Sequence, residues 1–168
     1  MAKTAKAVTA TLATEGLARE LGKQRPFESA AQEAVLNIIR TAGLLGCQAV
    51  RFFKAHDLSE SGYNVLRILR GHHPSGVPSQ SIAQMLVAQV PDVTRLVDRL
   101  VKQGLARREG HPDDRRVVIV EITRPGLDLL SKLDAPLLAL HDRQLGHLSR
   151  AELKELSRLL TKARAAQA

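Results

Sequence analysis

Between residues 89 and 126 a short helix is followed directly by a two-stranded ribbon, and no other stretch limits the possible folds as tightly. From Val90 to Gly104, apolar residues fall at Val93, Leu96, Val97, Leu100 and Val101. Spacing of i, i+3, i+4, i+7 and i+8 gives a helix one buried stripe. At about 100° per residue, the opposite face centres on Arg95 and Lys102, flanked by Asp98 and Arg99, with Thr94 on one shoulder. Pro91 suits the first helical position, where no N–H is required, and Asp92 beside it favours the positive end of the helix dipole. Gly104 is placed to close the helix after Lys102.

The ribbon follows as Leu105–Glu109, a turn Gly110-His111-Pro112-Asp113-Asp114, and a second strand within Arg115–Ile122. β-Branched residues bounded by Gly, Pro and Asp predict a hairpin. Val118 and Val120 alternate with Val117, Ile119 and Glu121 too weakly to define one clean face. Arg115 and Arg116 stand where the second strand leaves the turn, beside Asp113 and Asp114. A neighbouring carboxylate can hold a guanidinium fork in one direction, ready for phosphate or a narrow minor groove. A basic-faced helix plus an arginine-tipped hairpin is the composition of a winged helix-turn-helix.

The run Asp114-Arg115-Arg116, with Ile122-Thr123-Arg124-Pro125-Gly126 after it, resembles the wing signature of the MarR family of bacterial transcription regulators. That signature has Asp, any residue, Arg, then further on a Leu/Ile-Thr pair, two residues and Gly. In its register Arg116 is the wing arginine and Asp114 its orienting partner. Residues 93–108 similarly resemble the family's recognition helix and the entry to its wing. The likeness spans residues 27–165 and leaves the first 26 outside. Pro91-Asp92 departs from the Ser/Thr-rich cap with which many members begin the recognition helix.

The rest of the chain is read against this centre. A net charge of +8 and a pI near 10.2 favour an anionic partner, nucleic acid ahead of membrane. Aromatics are only 2% of the chain, which argues against single-strand binding by base stacking. No apolar run approaches the ~18 residues of a membrane span. The N-terminus lacks the apolar core of a signal peptide, so a cytoplasmic location is expected. Cys47 is the single cysteine and excludes an internal disulfide; among Leu45, Gly46 and Ala49 it is expected to be a buried, inert thiol. His56, His72, His73, His111, His141 and His147 show no metal-ligand spacing, so neither metal nor cofactor is expected. No nucleophile motif, phosphate-cradling loop or acid–histidine pairing is visible, and an enzyme is not expected.

Residues 1–26 are Ala-rich and basic, read either as a tail or as a short helix with Leu12, Leu17 and Leu21 on one side, ending at Gly22. From Glu28 to His56 apolar residues lie almost all round, as in a helix buried on more than one side. Ser59 is placed to cap a helix ending at Gly71, and residues 72–78 read as a loop. Ser79 is expected to cap residues 80–86, with Ile82, Met85 and Leu86 inward, and a turn leads to the helix at Pro91. After the wing a leucine-rich helix runs to about Gln144, with a kink expected at Pro136. Ser149-Arg150-Ala151-Glu152 is a capping box before an amphipathic last helix. Leucine stripes on the terminal helices need a cover, and a two-fold homodimer supplies one.

The fold class expected is mainly α with a small β-wing: a winged helix-turn-helix whose N- and C-terminal helices form a dimerisation domain. The divisions are an arm or extra helix over 1–26, dimerisation helices over 27–56 and 126–168, and a DNA-binding domain over 57–125. The resemblance implies a homodimer on double-stranded DNA, with the helix at about 91–103 in the major groove and the wing at about 105–122 in the minor groove. Gln89, Thr94 and Arg95 are assigned to bases and Arg99 to phosphate. Ser79, Gln80 and Ser81 are assigned to backbone phosphates, and Arg115 and Arg116 to the minor groove. The resemblance also allows a small anionic or phenolic effector, with a candidate edge at Arg40, Cys47, Arg51, His56 and Tyr63. The rival is a winged-helix module that binds protein through the same face, or simply a solvated basic helix beside an ordinary hairpin.

Overall fold

A computed structural model describes residues 16–88, 90–110 and 116–165. It divides into two compact units, Met1–Phe52 and Phe53–Ala168.

The first unit holds α1 (Leu17–Glu20) and nearly all of α2 (Ala30–Lys54). Arg40 Nε donates to Glu20 Oε2 at 2.7 Å, and the Lys23 ammonium lies 5.0 Å from the centre of the Phe27 ring. On α2, Val35, Ile38, Ile39, Leu44 and Val50 are all between 46% and 61% exposed. The burial expected all round this helix is that of a helix shared between a dimer interface and its own subunit, and within one chain its packing buries Phe53. Cys47 is likewise exposed rather than buried, since it belongs to the same uncovered helix.

The second unit begins with α3 (Glu60–Gly71), capped by Ser59, whose Oγ accepts from the Gly62 N–H at 3.0 Å. The chain then forms β1 (Val77–Pro78), a 3-10 turn (Ser79–Ser81), α4 (Ile82–Met85) and α5 (Val93–Lys102). The ribbon is β2 (Ala106–Gly110) and β3 (Val118–Ile122), and α6 (Arg124–Leu145) and α7 (Arg150–Ala165) complete the described chain. The sheet order is β1-β3-β2, antiparallel throughout, with Val77 opposite Val120 and Arg108 also opposite Val120 from the other side. β3 is thus the central strand. Its weak alternation has a cause: Ile119 and Val120 are both buried although they point to opposite faces.

Residues 72–78 are not all loop, because Val77–Pro78 pairs with β3. That pairing delivers Ser79 straight into the 3-10 turn, so Ser79 does not cap a helix over 80–86, and α4 keeps only four residues. Ile82 is buried as expected, but Met85 is 44% exposed and Leu86 half-buried. Pro91 lies outside α5, not at its first position. Asp92 is the cap, its carboxylate accepting from the Arg95 N–H at 2.9 Å, which satisfies a donor that Pro91 has no means to reach.

The core joins Val65, Leu66 and Leu69 of α3, Ile82 of α4, Val97 and Leu100 of α5, Val120 of β3, and Leu130 and Leu133 of α6, each 1% exposed or less. The junction of α5 and the wing is tied at several points. Gly104 has φ 71°, and its N–H donates to Val101 O while the Leu105 N–H donates to Leu100 O, both at 2.9 Å. That pair of bonds is a Schellman closure, and a left-handed backbone there favours glycine. Gly126 answers a different need: a Cβ there would stand 2.3 Å from Leu105 O and 2.7 Å from Ile122 Cγ1. The start of α6 must pass hard against the wing's base.

α6 runs unbroken through Pro136. It is joined to α3 by Asp134, whose Oδ2 and Oδ1 accept from Arg70 Nη1 and Nη2 at 2.8 and 2.9 Å. The capping box is formed, Ser149 N–H donating to Glu152 Oε2 at 2.8 Å and Glu152 N–H to Ser149 Oγ at 3.3 Å. Leu138 of α6 and Leu156 and Leu159 of α7 are exposed.

Candidate nucleic-acid interface

The stripe on α5 sorts its side chains as the spacing dictates. Val97 and Leu100 are buried, Val93, Leu96 and Val101 half-buried, while Thr94, Arg95, Arg99 and Lys102 are exposed. Arg95 is 87% exposed at its side chain, and its Nε stands 3.0 Å from Asp92 Oδ2. Asp92 therefore both closes the helix start and steers the first cation of the exposed face.

Beside this face a groove of about 600 Å³ opens between the 3-10 turn, α5 and the wing. Ser79, Gln80, Ser81, Thr94 and Arg116 all line it. Three separate elements thus bring these candidates to one concavity. Ser79 and Ser81 are half-buried and Gln80 exposed. Arg95 and Arg99 stand on the exposed surface of α5 outside the groove lining. Gln89, Asp114 and Arg115 lie outside the described residues, so neither their placement nor the orienting of Arg116 by Asp114 is described.

Two charged residues of the lining, Asp98 and Arg108, have no role assigned from the sequence. Arg108 Nη1 donates to Asp98 Oδ1 in a short contact, and Arg108 Nη2 lies 3.5 Å from Thr94 O. The signal was available: Arg108 is two residues from buried Ala106 on β2, so both point to the same face, toward α5. On the other face, Arg107 pairs with Glu121 directly across the ladder at 2.6 Å. That hydrogen bond, together with the carboxylate's charge, holds the Arg107 guanidinium above its ordinary pKa.

The effector candidates fall in different places. Arg40, Cys47 and Arg51 belong to the first unit, where Arg40 is paired with Glu20 and the other two are exposed. His56 and Tyr63 belong to the second; His56 is exposed, whereas Tyr63 is 8% exposed and stacks on Phe53 at 4.7 Å between ring centres. Among the described residues no group of three or more His, Cys, Asp or Glu is placed to hold a metal ion, and no helix is long and apolar enough to cross a membrane.

Known proteins resemble this chain in sequence and in fold. The family model described as MarR family matches residues 58–118. The HTH-type transcriptional regulator MhqR of Bacillus subtilis (strain 168) is 30% identical over 105 residues, 62% of this chain and 71% of that protein. The crystal structure of a MarR transcription factor from Planctomyces limnophilus is 43% identical, covering 80% of this chain and 98% of its own at a TM-score of 0.63. Sco3205, a MarR family transcriptional regulator from Streptomyces coelicolor solved in complex with DNA, has a TM-score of 0.75 over 86% of this chain and 92% of its own. At 20% identity that last likeness is one of fold.

Proposed function

The chain belongs to the MarR family of transcriptional regulators, and on that premise we propose that it is a repressor that binds an inverted-repeat operator as a homodimer. The observation that carries this reading is the groove in which Ser79, Gln80, Ser81, Thr94 and Arg116 meet, next to the exposed cations of α5. A neighbour of the same fold was solved in complex with DNA, which supports a duplex as the partner.

Each side chain then has a role set by its chemistry. α5 enters the major groove, with Thr94 and Arg95, and Gln89 before them, reading base edges. Arg99 holds a phosphate, as do the hydroxyls and amides of residues 79–81. Arg116, with Arg115, reaches the minor groove, where A·T-rich DNA concentrates negative potential. The exposed apolar residues of α2, and separately Leu138, Leu156 and Leu159, are surfaces that a second copy would cover. Two recognition helices related by a dyad and about 34–36 Å apart match successive major grooves. A small anionic or phenolic effector would release the operator only to the extent that it favours another spacing of those helices.

Selection of genomic fragments on the purified protein, followed by titration of the recovered duplex in rising salt, tests the reading. Arg116→Ala should weaken binding to every duplex and flatten the salt dependence by about one unit of slope. Arg95→Ala should cost on the order of 1–3 kcal/mol, mainly on the selected site. Variants that bind like wild type would contradict the site map, and a stoichiometric protein partner with no retained DNA would favour the interaction-module reading.

A further inference from the structure

Of the charged groups lining the groove, one is of the wrong sign for DNA. Asp98 lies one helical turn after Thr94 on α5, on the surface that faces the duplex in the reading above. Its side chain is 42% exposed, so water and salt reach it. A carboxylate there repels phosphate unless a cation answers it. Arg108 answers it from the wing, 32% exposed at its side chain, with one guanidinium nitrogen on Asp98 and another 3.5 Å from the Thr94 carbonyl oxygen.

The geometry points to Arg108 and Asp98 as a positioning pair that sets sequence discrimination by holding the wing at a fixed distance from the base-reading turn of α5. The inference rests on the operator reading. Arg108 takes hold of α5 at two residues on one face, Thr94 and Asp98, which are i and i+4. It comes from β2, an edge strand whose ladder partner is β3, so the pair supplies a polar tie between the wing and α5 beyond the turn at Gly104. Thr94 at one end and Arg116 at the other then address major and minor groove with a set offset. When that offset is loose, correct and incorrect duplexes are held by phosphate contacts alone, and affinity survives while preference falls. A free phosphate-binding Arg108 would behave in the opposite way, losing affinity uniformly and leaving preference intact.

Binding of the full-length protein to its selected duplex and to a scrambled duplex of equal length separates these behaviours. Asp98→Asn should bind the scrambled duplex more tightly, having lost a negative charge, yet show a selected-to-scrambled ratio about tenfold lower. Arg108→Gln should lower the ratio by a similar factor, and the two changes together should lower it no further, because either alone breaks the same tie. The exchange of Asp98→Arg with Arg108→Asp keeps the net charge and should bring the ratio back to within about threefold of wild type. Thermal unfolding of each variant checks that the fold is intact; the exchange variant decides the matter even if a single variant is destabilised. Single variants that keep the wild-type ratio, or an exchange variant as indiscriminate as the singles, would overturn the pairing. A wild type with no preference for any duplex would overturn the operator reading and this inference together, whereas a discriminating wild type with unaffected variants overturns this inference alone.

Discussion

The Thr123 hydroxyl donates to the Gly104 carbonyl oxygen across 2.6 Å, and its oxygen accepts from the Gly126 N–H at 3.3 Å. One side chain therefore caps α6 and anchors it to the turn that ends α5. Thr123→Val keeps the shape and removes both bonds. It should lower stability by about 1–2 kcal/mol, the cost of a lost cap together with an unmet carbonyl. Urea unfolding should show a lower midpoint at unchanged slope; an unmoved midpoint would mean that the anchor is dispensable.

Asp92 has two tasks that can be separated. Asp92→Ala removes the cap of α5 and should cost about 1 kcal/mol. Asp92→Asn keeps an oxygen for the Arg95 N–H and removes only the ion pair with the Arg95 side chain. Its stability should stay within about 0.5 kcal/mol of wild type, while binding should tighten on all duplexes because a negative charge near phosphate is gone. A difference in salt slope between Asp92→Asn and wild type measures this second task.

The link between α3 and α6 should be sensitive to acid. The hydrogen bonds from Arg70, with the charges of Arg70 and Arg67, hold the Asp134 carboxyl below its ordinary range. Because the folded-state pKa is the lower one, its stabilisation is present above the unfolded value of about 3.9 and is lost as pH falls through the folded value. With the Asp134 side chain 39% exposed, solvent screening limits the pair to about 0.5–1 kcal/mol at neutral pH. Asp134→Asn should be less stable than wild type by that amount at pH 7, and the gap should close on acidification below about pH 4. A gap that persists at low pH would assign the contribution to packing.

What could be read from the sequence was whatever short-range physics decides. The α5 stripe, Gly104 past its end, Ser59 as a cap and the Ser149–Glu152 box all depend on neighbours within a few residues, and all appear in the fold. β1 was missed because two residues carry no period, and only pairing with distant β3 makes Val77–Pro78 a strand. That same pairing shortened the helix expected after Ser79. Cys47 and the apolar residues of α2 were expected to be buried because their pattern records what the sequence avoids exposing to water, and a single chain leaves that surface open. In the groove, Thr94 and Arg116 could be placed on one surface by helical face and motif register. Arg108 was passed over because its meaning lies in a cross-element pair with Asp98, although alternation from Ala106 already turned it toward α5.

The most direct measurement is a hydroxyl-radical footprint of the full-length protein on a fragment selected from genomic DNA. Two protected half-sites of inverted sequence are expected, their centres about 10–10.5 base pairs apart or a multiple of that, with protection of the flanking minor grooves lost in Arg116→Ala. A single unpaired protected patch, or no protection at concentrations where the duplex is retained, would contradict two recognition helices acting as a dyad.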